Sequence, residues 1–471
     1  MSALGKTPHC TKNMLVLPSL PVYSTCKKSS ALPRKFPLAT STVPRKSFVR
    51  LSQPPLPGPN SAPRRLNQVN AAPKDSLRIG FGVSDELDNN SAVLSAVKMA
   101  NIDSPQLAFL ACTVERDAAD VIDHLKNTLP GVLVHGATSC GGVLSVGGGV
   151  KANGVSCLLV SGAPQGSLAA ASSPITGECS AQAAAEKAAL ELQSQLNGSP
   201  KAVLMSTVPG MEEGVIQGIQ KVFSAGVPIY GGTAADNEIA GKWSVLATEG
   251  ALGSGVSLVG IGEGVSVGGA LTSPYKPTGR SATATAALGR RVMELDGRPA
   301  ADVVYEWLGD SIKEAYEEGG MILAQTSTKP ILVTAPGATD GVAAHLAAVV
   351  RGGDGDGSCD FFVEVPEGSK VSMMDAGDGP SSGYSAAVAE AFDAARRSAG
   401  TDEPKAGLLF YCGGMGIAVG DNLQGALTSE EVTSKAAGVP VMGMTVFGEQ
   451  SNTEPLGNKH CNLSVGMVLL G

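Results

Sequence analysis

The sequence predicts a fold between the α/β and α+β classes, with mixed β-sheets covered by helices and two consecutive halves of related size. Three observations support this prediction. Short apolar segments of strand length alternate with amphipathic helical segments. Gly-rich turns follow several of these strands. Of the 471 residues, 60 are Gly and only 4% are aromatic, which favours tight turns over a coiled coil or a long helical bundle.

The first half begins as an alternation of strands and helices, which is typical of a largely parallel sheet with helical cover. A hairpin marked by three consecutive Gly residues, an amphipathic helix that ends before Gly198 and a second strand–helix–strand unit follow. An antiparallel meander closes this half. The predicted segments are, in order, 77–83, 90–100, 106–113, 118–129, 131–137, 142–161, 178–196, 201–206, 213–224, 227–232, 243–248, 255–262 and 265–271.

A different unit begins beyond about residue 270, so the predicted domains are 75–270 and 271–471. Strand patterns dominate this half, and two helical patterns interrupt them. The second helix carries an apolar face from Tyr384 to Ala395 and ends at Gly400. The predicted segments are, in order, 290–296, 300–308, 331–334, 361–365, 371–375, 384–395, 407–412, 439–445 and 463–469.

The first 74 residues differ from the rest of the chain. They contain twelve Lys or Arg, twelve of the 29 Pro, many Ser and Thr, and no Asp or Glu. Such a composition cannot build a packed core and is typical of a disordered organellar transit peptide. Because it lacks an Arg-rich amphipathic helix, we expect the chloroplast stroma, with the mitochondrion as the alternative. A tail without a targeting role also fits the composition.

Charge and cysteine content exclude several classes of function. All 43 acidic residues but only 23 of the 35 basic residues lie in 75–471, so this acidic body would repel a nucleic acid. No apolar run approaches the roughly 18 residues of a membrane span. The seven Cys of the body are widely spaced and form no CxxC pair, so neither a metal site nor a disulfide framework is predicted.

Candidate binding residues follow the ends of apolar strands, where Gly lets backbone amides approach a ligand. Three Gly-rich turns, at 136–142, 231–237 and 410–416, and the strand end 446–449 have this form. The amides would hold anionic atoms, and Asp236 and Glu449 would hold a cationic or hydroxyl group. Each carboxylate, if buried, should meet a ligand, a cation or a protein donor. The candidates are Thr138, Ser139, Cys140, Gly231, Gly232, Asp236, Asn237, Cys412, Gly413 and Glu449.

These turns, together with two further passages, resemble the FIST family of sensory proteins, which consist of a FIST N half and a FIST C half. The passages are 275–279 (YKPTG) and 294–300 (ELDGRPA), of which the second is the most specific. The resemblance covers about residues 77–455, and the basic N-terminal segment would make the protein a plant or algal organellar type.

The resemblance implies a ligand-sensing role in signal transduction, with small molecules such as amino acids as ligands. Some bacterial members are haem-based nitric oxide sensors, so haem is an alternative cofactor, with His135 as its candidate ligand. Two departures from the family pattern are present: Gly142 stands where many relatives have Glu, and Met415 stands where many have Arg, which weakens a carboxylate site. An Arg at that point would clamp a carboxylate with two hydrogen bonds.

The sequence therefore predicts a sensory protein that binds an amino acid or a similar polar metabolite, with no cofactor and no membrane span. An unidentified protein partner would receive the signal. An enzyme with Cys412 or Cys140 as nucleophile is a less favoured alternative, because no base is assured nearby. A haem sensor and an interaction scaffold with an empty cleft are further alternatives.

Overall fold

The computed structural model describes residues 77–350, 355–376, 382–453 and 455–471, all within one compact unit, Lys74–Gly471. The predicted transit peptide lies outside the described residues.

The strands are β1 (Arg78–Ser84), β2 (Leu107–Thr113), β3 (Leu133–Ser139), β4 (Val143–Ser145), β5 (Gly149–Lys151), β6 (Val155–Ser161), β7 (Leu168–Pro174), β8 (Ala202–Thr207), β9 (Ile229–Thr233), β10 (Val245–Ala247), β11 (Gly250–Leu252), β12 (Gly255–Ile261), β13 (Val267–Thr272), β14 (Lys276–Leu288), β15 (Arg291–Leu295), β16 (Arg298–Pro299), β17 (Gly320–Met321), β18 (Ile331–Thr334), β19 (Val342–Ala344), β20 (Leu346–Val350), β21 (Ser358–Phe361), β22 (Lys370–Asp375), β23 (Ala406–Cys412), β24 (Val441–Val446), β25 (Glu449–Thr453), β26 (Gly457–Cys461) and β27 (Val465–Leu470).

Helices follow most of the long strands, and two short 3₁₀ turns, at Gly309–Ile312 and Gly420–Asn422, extend them. The helices are α1 (Asn89–Ala100), α2 (Ala118–Thr128), α3 (Ala181–Gln195), α4 (Glu212–Phe223), α5 (Ala300–Leu308), α6 (Lys313–Glu318), α7 (Leu323–Thr326), α8 (Ser382–Ala399), α9 (Gly413–Val419), α10 (Leu423–Thr428) and α11 (Glu430–Ala436).

Three six-stranded sheets share one topology. Their strand orders are β1-β6-β2-β3-β10-β11 in sheet 1, β7-β12-β8-β9-β25-β26 in sheet 2 and β13-β27-β23-β24-β4-β5 in sheet 3. In each sheet the third and fourth strands run parallel, and the other neighbours run antiparallel. The described residues therefore contain three structural repeats, at 78–161, 168–261 and 267–470.

The two outer strands of each sheet come from another repeat. Hairpin β4–β5 of the first repeat completes sheet 3, hairpin β10–β11 of the second completes sheet 1, and hairpin β25–β26 of the third completes sheet 2. The exchange is cyclic, so each repeat both gives and receives one hairpin. We call the three places where a received hairpin joins a sheet the junctions.

The backbone hydrogen bonds between repeats follow the same cycle. The amide of Cys140 donates to the carbonyl of Thr445 at 3.2 Å, that of Ala235 to Thr138 at 3.0 Å, and that of Phe447 to Thr233 at 3.1 Å. In every repeat the residue that accepts one of these bonds lies two positions before the residue that donates another. The three bonds therefore join equivalent positions of the repeats. The three threonines, Thr138, Thr233 and Thr445, are thereby equivalent.

Alternating side chains of the parallel strands build two kinds of core. Phe109, Leu204 and Phe410 point from the three sheets into one central core, while the intervening residues pack under the helices of each repeat. Helix α3 shows why the sequence folds locally in this way. Ser180 caps its first turn by accepting from the amide of Ala183 at 3.2 Å, and its Ala-rich face is buried.

The third repeat contains an insertion between β13 and α8, formed by strands β14–β22 and helices α5–α7. Its strands form a fourth sheet, with the order β17-β20-β21-β15-β14-β22-β18-β19 and β16 beside β15. The insertion has an apolar core of its own. Within the described residues, no helix combines the length and apolar character needed to cross a membrane.

The predicted fold class, mixed sheets covered by helices, is confirmed. The predicted antiparallel meander at 243–271 is wrong, since β10, β12 and β13 belong to three different sheets. Neighbouring strand patterns do not determine pairing, and the exchange of hairpins separates these strands. The domain boundary near residue 270 stays a prediction; β13 spans it, and sheets 2 and 3 combine strands from both sides.

We expect Gly136→Ala to destabilise the protein, because a Cβ at this position in β3 would overlap the backbone carbonyl of Leu110. Overpacking of this kind costs about 1–3 kcal/mol. Gly425→Ala is the matched control, since Gly425 is an exposed helical residue with open space around it. Urea unfolding measures both variants. Equal free energies of unfolding would contradict the close packing of β3 on β2.

Candidate functional site

The junction at hairpin β25–β26 departs from the other two junctions in residue type. The strand registers make Val143, Val245 and Glu449 equivalent, because they lie opposite Met444, Ala137 and Gly232. Val143 and Val245 belong to the central apolar core. Glu449 is a carboxyl group that is 0% exposed at the same place.

Glu449 has few compensating contacts for a buried acid. Its Oε2 accepts hydrogen bonds from the Ser464 hydroxyl at 2.7 Å and the Ser464 amide at 3.3 Å. Its Oε1 has no hydrogen-bond partner among the described residues. Burial raises the pKa of Glu449 well above its usual value, and the bonds from Ser464 and Cys412 only partly offset this effect. The site therefore favours a neutral acid.

Cys412 lies beside Glu449 at the start of α9. Its Sγ accepts a hydrogen bond from the amide of Leu463 at 3.1 Å. Burial raises the pKa of the Cys412 thiol, an ionised Glu449 would raise it further, and neighbouring backbone amides lower it. The thiol is therefore neutral at physiological pH, and a neutral thiol is a poor nucleophile.

A pocket of about 200 Å³ opens at this junction, where the third repeat meets hairpin β18–β19 of the insertion. Thr453, Cys461 and Ser464 line it from the third repeat, and Asp340 is its charged residue. Glu449 and Cys461 are cross-strand partners, so their side chains lie on the same face of the hairpin. Ser464 thus connects the pocket directly to Glu449.

The opposite face of the same hairpin carries a second polar group. Gln450 Nε2 donates to the Thr233 hydroxyl at 2.9 Å and lies 3.1 Å from His460 Nδ1. The Thr233 hydroxyl in turn donates to Glu212 Oε1 at 3.1 Å. Arg290 of the insertion contacts Glu212 Oε2 at 2.7 Å and Glu213 Oε2 at 2.6 Å.

Glu212 differs from Glu449 in having a cation as partner. Burial alone would raise the pKa of Glu212, but the nearby charges of Arg290 and His460 hold it below its usual value. Glu212 is therefore an ionised, compensated carboxylate that joins the second repeat to the insertion. Glu449 is the buried carboxyl that lacks such compensation.

Asp236 and Asn237, predicted as ligand-binding residues, hold loops in this structure. The Asp236 carboxylate accepts from the amides of Glu238, Ala240 and Lys242 at 3.1, 2.9 and 2.8 Å. Asn237 Oδ1 accepts from the amide of Gly141 at 2.7 Å. Both predicted carboxylates, Asp236 and Glu449, are buried and meet protein donors, as we expected for buried acids.

The remaining predicted residues of the three turns lie at or beside the junctions. The Ser139 hydroxyl donates to the carbonyl of Gly142 at 2.6 Å and accepts from the amide of Thr445 at 2.8 Å. Gly232 pairs with Glu449, and a Cβ there would press on Phe410 and Val446. The other members of this group are Thr138, which bonds to Ala235 and Ser244, Gly231, which pairs with Gln450, and Gly413, which packs against Phe447.

Cys140 is a candidate nucleophile for the enzyme alternative, and His135 is the candidate ligand for the haem alternative. Burial, with the charges of Asp236 and Glu115, raises the pKa of Cys140 to about 11. His135 lies in the central core, with Nδ1 2.9 Å from the Ser257 hydroxyl and Nε2 3.4 Å from the Ser206 hydroxyl. Burial lowers its pKa to about 3. In the described part of the chain, no group of three or more His, Cys, Asp or Glu forms a metal site.

The chain matches two known domains in sequence. The FIST N domain matches residues 106–298, and the FIST C domain matches residues 300–452. The chain belongs to the FIST family. FIST domains are sensory domains that are thought to bind small ligands. The two matches meet inside the insertion, between β16 and α5.

Other comparisons add little to this assignment. No curated protein matches the chain. Among solved structures, the crystal structure of cyanuric acid hydrolase from A. caulinodans has a TM-score of 0.26 and 10% sequence identity, over 42% of this chain and 72% of that chain.

Sequence reasoning on this FIST protein missed several residues of the junction: Glu212, Arg290, Gln450, His460 and Ser464. The signal that could have found them is the internal repeat. Once the three hairpins are aligned, Gln450 stands where Leu144 and Leu246 stand, and His460 stands where Val150 and Ala251 stand. Polar residues at positions that are apolar in the other repeats indicate a site.

Replacing Arg290 with Ala should destabilise this FIST protein, because it leaves the buried Glu212 carboxylate without its cation. Breaking a buried pair in this way costs about 3 kcal/mol. Arg291→Ala is the matched control: Arg291 is 47% exposed and pairs with Asp360, so its loss should cost at most about 1 kcal/mol. Chemical unfolding measures both variants. A larger loss of unfolding free energy in Arg291→Ala than in Arg290→Ala would contradict this account.

Glu449→Gln should change how stability depends on pH. The contribution of Glu449 to the free energy of unfolding, measured as the difference between wild type and Glu449→Gln, is complete below about pH 4.5, the usual Glu pKa. It is lost as pH rises through the raised folded pKa, because the native state then retains a proton that the unfolded state has released. The titratable neighbours Cys412, Cys461 and Tyr411 stay neutral in this range, since burial raises each pKa.

Within this window, the difference in unfolding equilibrium constant should change by about tenfold per pH unit. Urea unfolding of both proteins at a series of pH values measures it. A difference that is constant with pH, or that favours the wild type more as pH rises, would show that Glu449 is not held neutral by burial.

Proposed function

We propose that this FIST protein senses a small polar ligand, which it binds in the junction pocket beside Ser464, Cys461 and Glu449. One observation supports the proposal above all: Glu449 is completely buried, its Oε1 lacks a partner among the described residues, and its bonding partner Ser464 lines the pocket. A ligand that hydrogen-bonds to this acid would supply the missing contact.

The free energy of burial supports a binding role over a structural one. A buried polar group without a hydrogen bond destabilises a fold by about 1–3 kcal/mol. At the equivalent positions Val143 and Val245 contribute to the central core instead. A destabilising acid at a position where Val packs well is typical of a functional residue, because functional sites are where proteins retain unfavourable local arrangements.

The pocket is small and lies between two parts of the chain. Its volume of about 200 Å³ is below the roughly 300–1,000 Å³ of pockets for drug-sized ligands, so an amino acid or a similar metabolite is the appropriate size. A ligand there would contact both the third repeat and hairpin β18–β19 of the insertion. Binding would thereby be coupled to their relative position, and a protein partner would receive this signal. We place the protein in the chloroplast stroma, on the composition of residues 1–74.

The experiment is thermal unfolding of the full chain against a panel of amino acids, related metabolites and haemin. A ligand that binds the native state should raise the midpoint by mass action, by about 2.7 kcal/mol at one hundred times its Kd. Glu449→Val, which installs the residue of the other two junctions, should fold and lose the shift. Glu263→Gln is the control, because Glu263 is an exposed partner of Lys201.

The panel also separates the alternatives. A saturable shift that Glu449→Val abolishes and Glu263→Gln retains supports the proposal. A shift that survives in Glu449→Val places the ligand elsewhere and contradicts the site. A response to haemin alone, with a Soret band, favours the haem alternative, and a flat panel contradicts the sensor function for these ligand classes.

A further inference from the structure

Hairpin β18–β19 of the insertion forms one wall of the junction pocket. Its lining residues are Leu332, Asp340, Gly341 and Ala343. The opposite wall comes from the third repeat outside the insertion and includes Cys461 and Ser464. Behind this second wall, Glu449 is 0% exposed. A ligand can therefore reach this acid only after one of the walls moves.

The two walls are joined by isolated hydrogen bonds and not by a strand ladder. Strand β18 is fixed to the insertion sheet, because it pairs with β22 over four residues. In the described part of the chain, no ladder joins β19 to β26. Instead, the amide of Asn462 donates to the carbonyl of Ala343 at 2.9 Å. Isolated bonds of this kind open more easily than a continuous ladder.

Asn462 bonds to both walls of the pocket. Its Oδ1 accepts from the amide of His345, which follows β19, at 3.4 Å. Its Nδ2 donates to the carbonyl of Phe447, in the third repeat outside the insertion, at 3.3 Å. The residue is 2% exposed and directly follows the pocket residue Cys461. Movement of the hairpin therefore requires the hydrogen bonds of Asn462 to break.

The residue after Asn462 has a strained backbone. Leu463 has a φ of 52°, in the left-handed region that is unfavourable for a bulky side chain. Its equivalent in the first repeat is Asn153, because each lies two residues beyond the outermost pair of its hairpin. Asn153 has a φ of 50°, but Asn tolerates this conformation. Strain is therefore retained beside the bonds that join the two walls, as is typical of functional elements that move.

We infer that hairpin β18–β19 is a lid on the junction pocket and that Asn462 holds it closed. Opening separates β19 from the connection 461–464 and uncovers Cys461, Ser464 and the path to Glu449. A ligand between the walls would then fix the position of the insertion relative to the rest of the third repeat. The inference rests on the proposed function and adds to it the route by which a ligand enters.

Alkylation of the full chain by N-ethylmaleimide, followed by peptide mass spectrometry, measures lid opening without a ligand. Cys461 lines the pocket but is 3% exposed, so it reports on the lid. Cys157 in the helix-covered core of the first repeat and Cys359 in the core of the insertion report on larger unfolding. Burial raises the pKa of all three thiols, so each should react from an open state. In the wild type, Cys461 should react at least about tenfold faster than Cys157 and Cys359.

Two matched variants test the role of Asn462. Asn462→Ala removes both side-chain hydrogen bonds and should speed the alkylation of Cys461 by about tenfold. Gln106→Ala is the control, because the Gln106 side chain also makes two hydrogen bonds to backbone, with Ala163 at 3.0 and 2.8 Å. These bonds lie in the first repeat, so their loss should leave the alkylation rate of Cys461 unchanged.

The outcomes are distinct. If Cys461 reacts no faster than Cys157 and Cys359 in the wild type, the pocket opens only when the fold does, and the lid is overturned. This comparison needs no variant, so it decides the inference even if Asn462→Ala fails to fold. Equal Cys461 rates in Asn462→Ala and the wild type would overturn the role of Asn462. The ligand panel tests the proposed function separately: a flat panel with fast alkylation of Cys461 contradicts the sensor and supports the lid, and a saturable shift with slow alkylation does the reverse.

Discussion

The cyclic exchange of hairpins between the three repeats is the interaction on which the rest of the structure depends. Each six-stranded sheet takes its last two strands from another repeat, so no repeat can complete its own sheet. Buried backbone amides and carbonyls must be paired, and here one of the two partner strands of each of β3, β9 and β24 belongs to another repeat. The central core becomes closed only when all three hairpins are in place.

The same exchange explains why the candidate site lies at one junction and not at three. The insertion is part of the third repeat, and its strand β19 lies beside hairpin β25–β26, where the amide of Asn462 donates to the carbonyl of Ala343 at 2.9 Å. The other two junctions have no such neighbour among the described residues. Similar backbones therefore carry apolar side chains at two junctions and polar side chains at the third.

The two buried acids beside hairpin β25–β26 have different roles: one contributes to stability, and the other is proposed to contribute to binding. Glu212, beneath one face, has Arg290, Thr233 and His460 around it. Glu449, on the other face, has Ser464 and an unpartnered oxygen. The first group holds the second repeat against the insertion. The second acid reduces stability locally, which is the arrangement expected where a ligand completes the contacts of a site.

The sequence by itself determined the fold class, most strands and helices, membership of the FIST family and the candidacy of Glu449 and Cys412. Local patterns suffice for these because side-chain periodicity, Gly turns and short motifs act over a few residues. The sequence could not separate Asp236 from Glu449. The two acids follow similar turns, yet Asp236 receives three amides of its own loop and Glu449 does not.

Only the tertiary structure decided which hairpin completes which sheet, and hence which residues are equivalent. The bond between the amide of Thr445 and the hydroxyl of Ser139 joins residues 306 positions apart. No local pattern specifies a pairing at that distance, because strands of similar composition compete for the same edges and the choice depends on burial of the whole core. The contrast between Val143, Val245 and Glu449, which marks the site, follows from that choice.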